Sequence, residues 1–314
     1  MVGNSKVREL KPGVYGPLPT FFDDRQELDL VSYKRHLLKI LKTLLIQNST
    51  GVYGLLRRSC SFGESFQSVP ELSLEERTTI IRFIRKTLDD EGLQATPILA
   101  VQVPERQSNY LVQQQMPERK IQEAEGEKTE LTPVSDAGMV ILPAYYAASL
   151  NADQDQVIQY YVDICEASPV CSSEHLTIPL LLYNFPANAA GQDMSSAVIE
   201  AVMKKAPNLC GVKLTCGGSI GKLIRLNATL NDDPTINSSR PYPFLLLDGL
   251  IADLTPWVSS GGHGTVSGIP NFAPRATMKL WRLLSNPTPS KGEVFMNALK
   301  DVLELEAELV RLES

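Results

Sequence analysis

The sequence has little of what staples a chain or binds a metal. Its 314 residues hold five cysteines, at positions 60, 165, 171, 210 and 216. That number is odd and no CxxC pair occurs, so neither a disulfide framework nor a zinc knuckle is supported. The three histidines, His36, His175 and His263, stand apart from one another and from any paired carboxylates, so no metal site is expected. Positive charge is also scarce. Thirty Lys and Arg face 36 Asp and Glu, for a net charge of −6, and no basic cluster points to nucleic acid. No apolar run approaches the roughly 18 residues of a membrane span, and the opening MVGNSKVREL lacks the apolar stretch of a signal peptide. The expectation is a cytoplasmic protein in a reducing compartment, with no membrane partner.

What is present is a globular core. Hydrophobic residues make up 43% of the chain and charged residues 21%, proportions that support a packed interior. Apolar periodicity alternates between two types along the chain. GVYGPLPTFF at 13–22 reads as a strand entering a Pro-broken loop. Asp29 then caps a helix to about residue 46, with Leu30, Leu37, Leu38, Leu41 and Leu45 on one stripe. Thr50 to Leu56 reads as a strand. Ser73 with Glu76 forms a capping box for a helix carrying Ile80, Ile81, Phe83, Ile84 and Leu88. Gly92 stops it, and Thr96 to Val101 is the next strand. After residue 138 the alternation resumes with strands MVILP, IPLLLYN, LCGVKLT, Phe244–Leu247 and GTVS. Helices at 153–167, 195–205 and 219–230 and a short one before GTVS lie between them. Two helices follow Pro274. Strands this apolar are buried on both faces, as in a closed barrel or a doubly wound parallel sheet. One segment breaks the rhythm. Residues 102–135 are polar and rich in Gln and Glu where a third amphipathic helix belongs, which leaves an exposed helix or a disordered insertion.

Chemistry, if present, belongs at the C-terminal ends of the strands. Lys213 ends LCGVK. A solvated lysine is one reading. The other is an amine shielded from water, able as the free base to attack a ketone. Tyr183 ends the preceding strand, either as a core aromatic or as a proton relay beside that amine. Pro186 and Gly191 shape the loop beyond it, and Tyr145 and Tyr146 end ILPAYY on the same face. TCGGSIGK at 215–222 fails the Walker spacing and lacks Ser or Thr after its Lys, so it is not a nucleotide loop.

Taken in order, ILPAYY, LLLYNFPANAAG, GVKLTCGG and GGHGTVSGIPN resemble the dihydrodipicolinate synthase and N-acetylneuraminate lyase family. GVYGPLPTFF and LSLEER resemble its early segments. Within that family the chain looks most similar to fungal-type 2-keto-3-deoxy-sugar-acid or 4-hydroxy-2-oxoglutarate aldolases. The resemblance implies a (β/α)8 TIM barrel over residues 1–270, with an atypical polar segment at 102–135, and additional C-terminal helices over 271–314 packed on it. It implies Lys213 as the Schiff-base lysine, Tyr183 as proton relay, and Tyr146 reaching a neighbouring subunit's site in a dimer or tetramer. The carboxylate-binding loop maps to Cys60–Glu64, with Ser61 and Gly63 as ligands and Phe62 where the family has a polar residue. Val266 would supply a carbonyl facing the lysine, and Asn188 would lie among the specificity loops. The implied activity is a class I lyase that cleaves a 2-keto-3-deoxy sugar acid or a 4-hydroxy-2-oxo acid to pyruvate and an aldehyde, with no metal or organic cofactor. Two alternatives stand beside it. One is dihydrodipicolinate synthase, although ANAAG lacks the Arg which that enzyme uses for its second substrate. The other is a barrel relative without catalysis, with a binding or structural role, to which Phe62 and the 102–135 segment point.

Overall fold

The computed structural model describes residues 8–44, 52–54, 72–102, 118–123, 126–131, 135–144, 147–151, 153–168, 170–171, 176–285 and 293–313. Eight parallel strands close a barrel: β1 (Gly13–Pro17), β2 (Val52–Gly54), β3 (Ile98–Gln102), β4 (Ala137–Ile141), β5 (Leu180–Asn184), β6 (Leu209–Leu214), β7 (Leu245–Asp248) and β8 (Gly264–Val266). Each strand neighbours the next in sequence, and β8 returns to β1 through Gly13↔Gly264 and Tyr15↔Val266. Closure there needs glycine, because Gly264 has φ +130 and a Cβ on it would overlap the Gly13 carbonyl.

Two cores follow from the two faces of the strands. Leu99, Met139, Leu181, Tyr183, Leu247 and Val266 fill the barrel interior. Val140, Leu182, Val212, Leu214 and Leu246 face outward and pack against the helices. The alternation has period two, so one strand serves both layers. The expected helices form with the expected starts; the end expected near residue 46 lies outside the described residues. Asp29 Oδ1 accepts the Ser32 N–H at 2.9 Å and begins Leu30–Leu44. Ser73 and Glu76 make a reciprocal capping box at the start of Leu74–Asp90. Asp153 and Ser195 cap Gln154–Glu166 and Ser196–Lys205. Ser219–Asp232 begins after Gly218 at φ +72. The chain ends in Pro274–Ser285 and Glu293–Glu313, where Val302 and Leu309 join the core formed by the first helices of the barrel.

Within 102–135 the structure describes Gln102, Glu118–Glu123, Gly126–Leu131 and Ser135, and the rest of the segment lies outside the described residues. Glu118–Glu123 and Gly126–Leu131 pair as an antiparallel hairpin. Its register sets Arg119 opposite Glu130. Among the described residues no helix lies between β3 and β4. Val170–Cys171 and Leu176–Thr177 pair antiparallel before β5. Among the described residues no helix is long and apolar enough to cross a membrane.

Candidate active site

The register of the barrel brings two of the expected residues together. Lys213 pairs with Tyr183 of β5 on one side and with Leu247 of β7 on the other. Both Lys213 and Tyr183 point inward near the C-terminal ends of their strands. Lys213 is 4% exposed. Its Nζ donates to Tyr183 Oη at 3.0 Å and lies 4.2 Å from the centre of the phenol ring. Phe185 stacks on that ring at 5.5 Å, which limits its rotation. An amine shielded from water beside a phenol can add to a carbonyl and exchange protons over one hydrogen bond. Burial pushes the Tyr183 phenol far above its usual range, with the Thr215 hydroxyl acting against that push. The phenol therefore remains a proton donor across the neutral range.

Thr215 was not singled out as a site residue, yet the period-two alternation from Lys213 places it on the same face. Its amide donates to the Asn184 carbonyl at 2.9 Å, continuing the strand pairing. Gly249, just past β7, has no Cβ where one would overlap the Thr215 side chain. Asp248, the last residue of β7, is also new. It is 1% exposed, and its Oδ2 accepts the Leu250 N–H at 2.8 Å. Its only sequence signal was a lone acid after three leucines.

The loop beyond β5 is tied down on both sides. Gly191, at φ +82, donates to the Pro186 carbonyl at 2.8 Å, and the Gln192 side chain donates to the Pro143 carbonyl beyond β4 at 2.7 Å. Asn188 ends the turn Pro186–Asn188 in this loop and is half-buried. Outside the barrel wall, Asn184 and Lys222 both donate to Asp193, and Lys222 lies 3.5 Å from Cys216 Sγ. Gly217 and Gly218 of TCGGSIGK thus serve the turn between β6 and its helix, and Gly221 lies inside that helix. Val266 sits two strands from β6, with its side chain in the same interior cluster as Tyr183. Ser61, Gly63 and Tyr146 lie outside the described residues, as do Tyr145 and the rest of Cys60–Glu64.

Comparison with known proteins agrees with this architecture. The dihydrodipicolinate synthetase family model matches residues 129–309, more than half of the chain. The L-threo-3-deoxy-hexylosonate aldolase of Aspergillus niger is 26% identical over 290 residues, covering 88% of this chain and 76% of the relative. A probable mitochondrial 4-hydroxy-2-oxoglutarate aldolase of Emericella nidulans is 29% identical over 278 residues, covering 88% and 74%. Among solved structures, a dihydrodipicolinate synthase family protein from Coccidioides immitis superposes with TM-score 0.68 at 24% identity, over 98% of this chain and 79% of that one. YagE of Escherichia coli K12, solved in complex with pyruvate, superposes with TM-score 0.65 at 20% identity, over 96% and 81%. These two likenesses speak for the fold. With a closed eight-stranded barrel, C-terminal helices and a family match over β4 to the last helix, the chain belongs to the dihydrodipicolinate synthetase family and is a lyase of the aldolase kind.

Proposed function

We propose that Lys213 holds a 2-oxo acid as a Schiff base and that the chain cleaves a 2-keto-3-deoxy sugar acid or a 4-hydroxy-2-oxo acid to pyruvate and an aldehyde. The observation that carries this reading is the 3.0 Å contact between Lys213 Nζ and Tyr183 Oη inside the barrel. The amine adds to the substrate's C2 carbonyl, and the carbinolamine loses water to give a protonated imine. Breaking the C3–C4 bond sends its electron pair into the imine and leaves an enamine, while the C4 hydroxyl gives up its proton as the aldehyde departs. Protonation at C3 and hydrolysis then release pyruvate and the free amine. Tyr183 is the group placed to pass these protons. The names of the Aspergillus and Emericella relatives support the substrate class, as does the pyruvate bound in the YagE structure. The neutral loop Ala187–Gly191 favours this reading over dihydrodipicolinate synthesis, since it offers no cation to a second substrate's carboxylate. The same reading carries a homo-oligomer in which Tyr146 serves a neighbouring site, to be checked by sedimentation.

The test is reductive trapping. Borohydride with pyruvate should add a carboxyethyl group to Lys213, read by peptide mass spectrometry. An unmodified Lys213 at saturating pyruvate would overturn the proposal. Aspartate semialdehyde offered as co-substrate should give no turnover above background.

A further inference from the structure

Asp248 follows Leu247, the strand partner of Lys213, and nothing in the Schiff-base scheme uses it. It pairs with Leu214, the residue after Lys213, and with Thr265 of β8. Neighbouring strands lie about 4.8 Å apart, so its carboxylate sits just behind the wall that carries Lys213. The carboxylate holds the turn out of β7 through the Leu250 N–H, and the Thr265 hydroxyl donates to the Asp248 carbonyl at 3.3 Å. Gly249, the middle residue of that turn, lies against Thr215. The turn therefore forms the floor on which Thr215 rests beside Lys213 and Tyr183.

The charge at this position is costly. Burial lifts the Asp248 carboxyl to about 7. The Leu250 N–H opposes this, the negative charge of Asp253 adds to it, and the Gly249 N–H and the positive charge of Lys213 oppose it. Among the described residues, the charged groups facing it are Lys213 from β6 and Asp253 from the turn Ile251–Asp253. Glu306 of the last helix faces Asp253. An asparagine would accept the Leu250 N–H equally well with no charge to bury. A carboxylate in its place makes sense if the negative charge itself has a use, and the cation it can serve is on Lys213.

Building on the aldolase reading, we propose that Asp248 is a positioning residue that acts on Lys213 in two ways. Its carboxylate fixes the β7 turn beneath Thr215, and its negative charge stabilises the protonated imine formed on Lys213. That imine must stay cationic to draw in the electron pair of the breaking bond, so an anion behind the wall favours the reactive form without touching substrate.

The experiment traps pyruvate on Lys213 with cyanoborohydride, at graded pyruvate concentrations, from pH 5.5 to 8.5. Asp248→Asn keeps the turn's acceptor and removes the charge. At pH 8 the half-saturating pyruvate concentration should rise roughly 3- to 30-fold in this variant, the size of one charge at a neighbouring strand. Near pH 5.5, where the wild-type carboxyl is itself neutral, the two proteins should coincide. Superimposed curves at pH 8, or an equal gap at both ends, overturn the inference. A wild-type protein that traps no pyruvate at any pH sinks the aldolase reading, and this inference with it. Asp253→Asn provides a second variant outside the site. Removing the like charge should move the pH at which tight trapping sets in toward acid, and an unmoved transition would also overturn the inference.

Discussion

At the scale of single residues, the proposed chemistry makes separable demands on Lys213 and Tyr183. Lys213→Arg keeps a long nitrogen-bearing side chain but cannot form an imine, so it should abolish both turnover and the trapped adduct while leaving the fold intact by circular dichroism. Tyr183→Phe keeps the stacked ring of Phe185 and removes only the hydroxyl. Turnover should fall by about 10²- to 10⁴-fold, the usual worth of a placed proton relay, while slow trapping of pyruvate persists. Equal loss of trapping and turnover in Tyr183→Phe would mean that the phenol orients Lys213 rather than moving protons. Because burial holds the phenol far above its ordinary value near 10, no alkaline fall in kcat below about pH 10 should vanish in that variant. An alkaline limb lost with the hydroxyl would contradict this assignment.

At the scale of elements, two contacts outside the site set how firmly the barrel is held. Ser73→Ala removes the reciprocal cap at the start of Leu74–Asp90 and should cost about 1 kcal/mol in urea unfolding. Asp136 matters more. Fully buried just before β4, it accepts the Ile98 N–H at 2.7 Å and pairs with Arg8 at 3.0 Å and Arg85 at 3.6 Å. Asp136→Ala would leave the buried Arg85 with only the half-exposed Asp89 at 3.3 Å as its anion and should cost about 3 kcal/mol. A midpoint shift no larger than that of Ser73→Ala would show that Arg85 finds enough in Asp89 and the Thr96 carbonyl. These elements also show what the sequence could reveal. The helices were legible because one stripe of leucines or isoleucines and a capping residue each state the same boundary. Lys213 and Tyr183 were legible because the apolar runs before them fix where the strands end. The hairpin at 118–131 was not, since strands polar on both faces carry no hydrophobic period and look like any exposed segment. Asp248 and Thr215 were missed for a related reason. Each is one polar residue at a strand end, and its meaning lies in which neighbouring strand it faces.

At the scale of the whole molecule, the last helix closes the barrel's flank through a buried acid. Glu306 accepts the Thr255 N–H at 2.7 Å, next to the start of Leu254–Ser259. Burial raises its carboxyl above the ordinary range, with the Thr255 contacts opposing and Asp253 adding to the rise. The sign for stability follows from linkage. A carboxyl raised in the folded state binds its proton more tightly there than in the unfolded chain. Its contribution is therefore most favourable below the ordinary carboxylate value and declines as pH climbs through the raised one. Asp248, lifted to about 7, acts in the same direction, so stability should fall between about pH 4 and pH 8. Glu306→Gln isolates one part of that slope. The amide oxygen still accepts the Thr255 N–H, so the variant should match wild type near pH 4 and melt higher at pH 8, where the wild type holds a buried charge. Glu306→Ala strands the same N–H and should melt lower at both. If Glu306→Gln instead loses stability at pH 8, the ionised carboxylate holds the C-terminal helix in place. The helix would then be secured by charge, and burial would not be the force that sets this acid's behaviour.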